Sequence, residues 1–126
     1  METVKKPTIY FLLVLCSLVL LGCSQKADEN KPISEVKAEA EKMDTNQLRS
    51  MAMSYKEAIV AKKGEVEKLA AKLKEIPVTE MLGAEAKEIK SEIDNLNKSV
   101  SALKERFEVY YDKLKEKSGD TSGLEI

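Results

Sequence analysis

The chain has 126 residues, with 21 basic side chains, 22 acidic side chains and no histidine. One domain is the most that this length supports, and the near balance of charge argues against nucleic acid as the main partner. Charged residues make up 34% and aromatics only 5%, so the apolar side chains are too few for a broad globular core and have to be used along a narrow seam.

The first 22 residues read as a secretory signal. Lys5 and Lys6 face a single acid, Glu2, and the 14 residues from Thr8 to Leu21 (TIYFLLVLCSLVLL) are almost wholly apolar. That run is shorter than the roughly 20 residues a helix needs to cross a bilayer, so a basic start followed by a short apolar stretch indicates a signal rather than a membrane span. It closes on Leu20-Leu21-Gly22-Cys23. This LLGC segment resembles the lipobox of bacterial lipoproteins. The resemblance implies that a diacylglycerol group is attached to the sulfur of Cys23 and that a signal peptidase cuts between Gly22 and Cys23. It also implies a mature protein anchored by lipid in the cell membrane or outer membrane, facing the periplasm or the exterior. The chemistry needs a thiol, since the thiolate is the nucleophile that takes the lipid. Cys16 lies in the apolar run and would leave with the signal, so there is no disulfide framework to read. Ser24 after the cysteine, rather than Asp, is compatible with outer-membrane sorting by the enterobacterial rule.

Cleavage would remove Lys5, Lys6 and Glu2 and leave a net charge of about −2. Residues 23–32 then carry the modified cysteine and a polar stretch, SQKADENKP, without periodicity. The expectation for it is a flexible tether, reaching at most about 30 Å from the bilayer.

Ser34 is the expected cap of a first helix, with Ile33, Val36, Ala40 and Met43 following at helical spacing. Asp44 and Gln47 match a capping box, which would mark a new helix start. No Gly or Pro interrupts the stretch, however, and the expectation is one helix over about 34–76. From Leu48 a heptad pattern holds through Ala52, Tyr55, Ile59, Lys62, Val66, Leu69, Leu73 and Ile76. The preceding residues do not keep its phase, which would change the supercoil or bend the helix. Lys62 is the one polar member; its stem can pack while the ammonium reaches water. Gly64 is a soft point, costing about 1 kcal/mol relative to Ala.

Pro77 cannot donate a backbone hydrogen bond and pushes Ile76 out of helical geometry, placing a turn at 76–79. Thr79 is the expected cap of a second helix over 80–117. Its seam is the most regular feature of the sequence: Leu82, Ala86, Ile89, Ile93, Leu96, Val100, Leu103, Phe107, Tyr110 and Leu114 alternate gaps of four and three. A two-in-seven apolar stripe of this length is a coiled-coil seam. Residues 118–126 are expected to form a disordered tail. A short break between helices of similar length makes neighbours antiparallel. The predicted fold is therefore all-α, a long antiparallel two-helix coiled-coil hairpin over residues 33–117, after a signal peptide and a flexible tether. Two alignments fit the seams. One pairs Tyr55 with Val100 and Ala52 with Leu103; the other, slipped by a heptad, pairs Tyr55 with Phe107 and Ala52 with Tyr110.

No catalytic constellation stands out. Without histidine, and with no cysteine besides the lipidated one in the mature chain, acid–base, metal and thiol chemistry lack their usual residues. The many Glu and Lys residues are explained by solvated faces and pairing along the helix. No catalytic, cofactor-binding or metal-binding residue is expected. Tyr111 lies outside the seam, and Asn97-Lys98-Ser99 fits a glycosylation acceptor only by chance. The expected role is a structural or protein-interaction module of the cell envelope, with an unidentified protein partner and with a homo-oligomer compatible. An envelope chaperone or stress-related binding protein, and a subunit of an export or secretion complex, are the alternatives. Braun-type murein lipoproteins share the anchor and the heptads. This chain departs from them at Pro77 and at Ile126, where the Lys used for wall attachment would be expected.

Overall fold

A computed structural model describes residues 26–126. The signal segment and the LLGC motif, including Gly22 and Cys23, lie outside the described residues. Among the described residues the fold is all-helical, with no strand: α1 (Ile33–Lys42), α2 (Thr45–Glu75), a 3-10 turn (Val78–Glu80) and α3 (Ala84–Glu116). The two long helices α2 and α3 pack against each other, and α1 packs against α3.

The expected continuous helix over 34–76 is interrupted. Met43 adopts an extended conformation, and Asp44 opens a new helix with a complete capping box. The Asp44 carboxylate accepts from the Gln47 backbone N–H at 2.8 Å, and the Gln47 side chain accepts from the Asp44 N–H at 3.0 Å. Two donors that a helix start leaves open are thereby satisfied. Packing provides the reason for the break: a straight extension would carry Val36, Ala40 and Met43 into water. With the chain bent at Met43, all three are buried with Leu48, Tyr55 and Phe107 in the core cluster. Ser34 is not the cap of α1. Pro32 holds that position, and its carbonyl accepts from Val36 N–H.

α2 ends as the sequence predicts, with Ile76 extended before Pro77. The connection is longer than predicted and spans 76–83. Thr79 lies inside the 3-10 turn, and Gly83 is the N-cap residue of α3. Gly83 N–H donates to the Glu80 carbonyl at 2.8 Å, and a Cβ at Gly83 would sit only 3.0 Å from that oxygen. Any side chain there would press on the Glu80 carbonyl, and glycine relieves that close approach. One consequence is that Leu82 does not open the second seam. It is 82% exposed, and Ala86 is the first fully buried residue of α3.

α3 ends in a Schellman motif. Gly119 N–H donates to the Leu114 carbonyl and Ser118 N–H to the Lys115 carbonyl, with Ser118 in the left-handed conformation at φ 55°. The motif reverses the chain, and residues 118–126 are not a free tail. Arg49 donates to the carbonyls of Asp120 and Ser122, both at 2.7 Å, and Lys56 donates to the Gly123 carbonyl at 2.6 Å. Leu124 is fully buried in the core cluster.

The other expected loose segment is also held, over its described residues 26–32. The Tyr55 hydroxyl donates to the Asp28 carbonyl at 3.0 Å and accepts from the Asp28 N–H at 3.1 Å. Arg106 donates through Nε to the Lys31 carbonyl at 2.9 Å, and Ala27 packs on the core. A polar composition suggested a tether, but backbone groups of Asp28 and Lys31 bind the helices, together with the side chains of Ala27, Glu29 and Lys31.

Candidate functional site

The seam residues fall into two regimes. At the end of the α2–α3 pair that α1 and the C-terminal tail cover, Leu48, Ala52, Tyr55, Ile59, Leu103, Phe107, Tyr110 and Leu114 are all buried. Towards the 76–83 connection nothing further covers the pair among the described residues. There Val66, Leu69, Leu73, Ile93 and Leu96 stay half-buried, and only Ala86 and Ile89 are buried. Two helices alone cover little of the larger seam residues, which keep one side open here. The connection itself presents Val78, 89% exposed, beside Leu82.

The covered end is fastened by polar contacts that the heptad pattern does not disclose. Arg106 is the one buried charged residue in the described core, 8% exposed. Its guanidinium reaches the Lys31 carbonyl on one side and the Ala102 carbonyl, at 2.6 Å, on the other. It joins the N-terminal segment to α3. Tyr55 and Tyr110 stack with ring centroids 5.6 Å apart, and Val100 and Phe107 lie in the same core cluster. The Tyr110 hydroxyl donates to Glu39 at 3.3 Å, and Glu39 also pairs with Lys31. Burial first, then the neighbouring Tyr55 and Glu39, push the Tyr110 phenol well above its ordinary range.

Lys113 is held between Glu41 at 2.6 Å and Glu116 at 2.7 Å. Hydrogen bonding to Glu116 and then to Glu41 raises the Lys113 ammonium, and the Lys113 hydrogen bond lowers the Glu41 carboxyl. The Lys62 ammonium lies 3.9 Å from a carboxylate oxygen of Glu29, so this polar member of the seam points to the N-terminal segment.

The concavities are shallow and open. One of about 470 Å³ lies between α1 and α3, walled by charged side chains such as Lys37, Glu41, Glu108 and Asp112 over Ile33 and Val109. Among the described residues no group of His, Cys, Asp and Glu is arranged to hold a metal ion. No helix among them is long and apolar enough to cross a membrane.

No family model, curated protein or solved structure matches this chain. The features that bear on function are therefore its own: the half-open stretch of the α2–α3 pair with its exposed apolar turn, and the fastened segment that leads back towards Cys23. Lys26, the first described residue, is three positions after that cysteine.

Sequence reasoning missed Arg106, Tyr55 as a polar anchor, and the tail carbonyls bound by Arg49 and Lys56. The signal for Arg106 was its place beside Phe107 in the seam. The others involve backbone groups 27 to 73 residues away in the chain, for which a single sequence carries no pattern.

Proposed function

We propose that the protein is a lipid-anchored lipoprotein of the cell envelope, acylated on Cys23 after cleavage between Gly22 and Cys23, and that its helical body is a structural or protein-interaction module. The observation that carries the reading is the order of basic start, short apolar run, Gly22 and Cys23 directly before a helical body. The finer architecture we propose is an antiparallel coiled-coil hairpin of α2 and α3, braced at one end by α1 and by the chain's two fastened segments. The eight-residue connection over 76–83 and the stacking of Tyr55 on Tyr110 support it.

The half-open stretch is the part of the body suited to a protein partner. Its apolar positions are partly exposed in a narrow stripe flanked by Lys and Glu, the pattern by which another helix is recognised. Apolar area is removed from water if a partner covers it. A broad client-binding surface is less well supported, because the large apolar residues of the other half are fully used in the core.

Cys23→Ser tests the anchor: the variant should accumulate as an uncleaved precursor that takes up no radiolabelled fatty acid. Acyl labelling equal to that of the natural protein would overturn it. Capture from membranes with the anchor intact tests the module. One stoichiometric partner is expected, and a broad set of unfolded proteins would favour a chaperone instead.

A further inference from the structure

We propose that the flank of the helical body formed by residues 26–35 lies directly on the lipid surface. The inference rests on the acylation of Cys23 proposed above and adds an orientation to it. An unfastened segment over 23–32 would let the body wander about 30 Å from the bilayer. The described part of that segment is fastened at Asp28 by Tyr55, at Lys31 by Arg106 and at Ala27 by the core. Only three Cα–Cα steps separate Cys23 from Lys26, which limits their distance to about 11 Å. A diacylglyceryl thioether fixes the cysteine at headgroup level, so Lys26 and its surroundings are confined to the same layer.

Those surroundings are defined. Lys26, Asp28, Asn30, Pro32 and Glu35 line one shallow depression with Met51 and Tyr55 of α2. The C-terminal tail binds Arg49 and Lys56, about 130° further round α2 from Met51, Tyr55 and Lys62 at 3.6 residues per turn. The two fastened segments thus lie on different sides of α2, and only one of them leads to the lipid. This flank carries Lys26 and Lys31 against Asp28, Glu29 and Glu35. It has no basic excess with which to seek anionic headgroups. The covalent anchor, not charge, holds it to the surface.

The experiment uses the full acylated protein in phosphatidylcholine vesicles containing a headgroup spin-labelled lipid. A fluorophore is attached through Glu35→Cys on the proposed face, or through Glu57→Cys on the exposed outer side of α2. Quenching at position 35 should exceed that at position 57 several-fold and should not change when phosphatidylglycerol is added. Ten Gly and Ser residues inserted between Gln25 and Lys26 should abolish the contrast. Equal quenching at the two positions in a protein whose mass confirms acylated Cys23 overturns this inference and leaves the anchor reading standing. A mass showing unmodified Cys23 overturns both.

Discussion

Truncating Leu103 and Leu96 to alanine should have unequal costs, although the heptad pattern gives the two residues the same rank. Leu103 is 2% exposed and belongs to the cluster that contains Tyr55, Ile59 and Phe107. Its removal leaves an enclosed void, and such truncations cost about 2–5 kcal/mol; with α1 and the tail closing the cluster, about 3 kcal/mol is expected. Leu96 is half-buried in the two-helix stretch. Burying a leucine completely contributes roughly 1.5–3 kcal/mol, and Leu96 realises only part of that. The space left by its side chain is open to water, so the cavity penalty is small and the cost should be about 1–1.5 kcal/mol. In a body of this size 1 kcal/mol shifts the melting temperature by about 4–8 °C. Leu103→Ala should therefore melt roughly 12–24 °C below the natural protein, and Leu96→Ala roughly 4–12 °C below it. Thermal unfolding of the 24–126 chain followed by circular dichroism measures both. Lys98→Ala, exposed on α3, serves as a control that should stay within about 0.5 kcal/mol. An equal loss for Leu96→Ala and Leu103→Ala would refute the division into a closed end and a half-open stretch.

Two glycine replacements should act in opposite directions. A Cβ at Gly64, inside α2, meets nothing within 4 Å, so Gly64→Ala should raise stability by about 1 kcal/mol in denaturant unfolding. At Gly119 the same Cβ would lie 2.1 Å from Cδ1 of the fully buried Leu114, so Gly119→Ala should lower stability by about 1–3 kcal/mol. Alkaline titration should destabilise the fold. The raised Tyr110 phenol keeps its proton in the folded state after the unfolded chain has lost it. Its contribution is complete below the unfolded value near 10 and declines as pH rises above it. The unfolding midpoint in urea should fall from pH 10 upwards, and Tyr110→Phe should flatten that fall.

The seams were legible in the sequence because the apolar positions of two long helices that pack against each other repeat in the chain itself. All the buried apolar residues of α3, from Ala86 to Leu114, are positions of the four-three pattern. The break at Pro77 was equally legible, since it depends on the chemistry of one residue. The second break, at Met43, was visible only as an ambiguity: the Asp44 and Gln47 signal was present, but the decision belonged to the burial of Val36 and Ala40 against a part of α3 about seventy residues later. The pattern could not distinguish Leu82 and Leu96 from Leu103, because it records which face a residue occupies and not how many elements cover that face. The N-terminal segment and the tail were misread for a related reason. Many of their attachments run through backbone carbonyls and amides of Asp28, Lys31, Asp120, Ser122 and Gly123, and every residue type carries those groups.

Whether Cys23 is the acylated first residue of the mature protein is decided by an intact mass measurement on protein extracted from membranes. The expected mass is that of a chain that begins at Cys23 and carries a diacylglyceryl group on its sulfur, with residues 1–22 gone. A mass corresponding to a chain that retains residues 1–22, or to one with an unmodified Cys23 thiol, would contradict it.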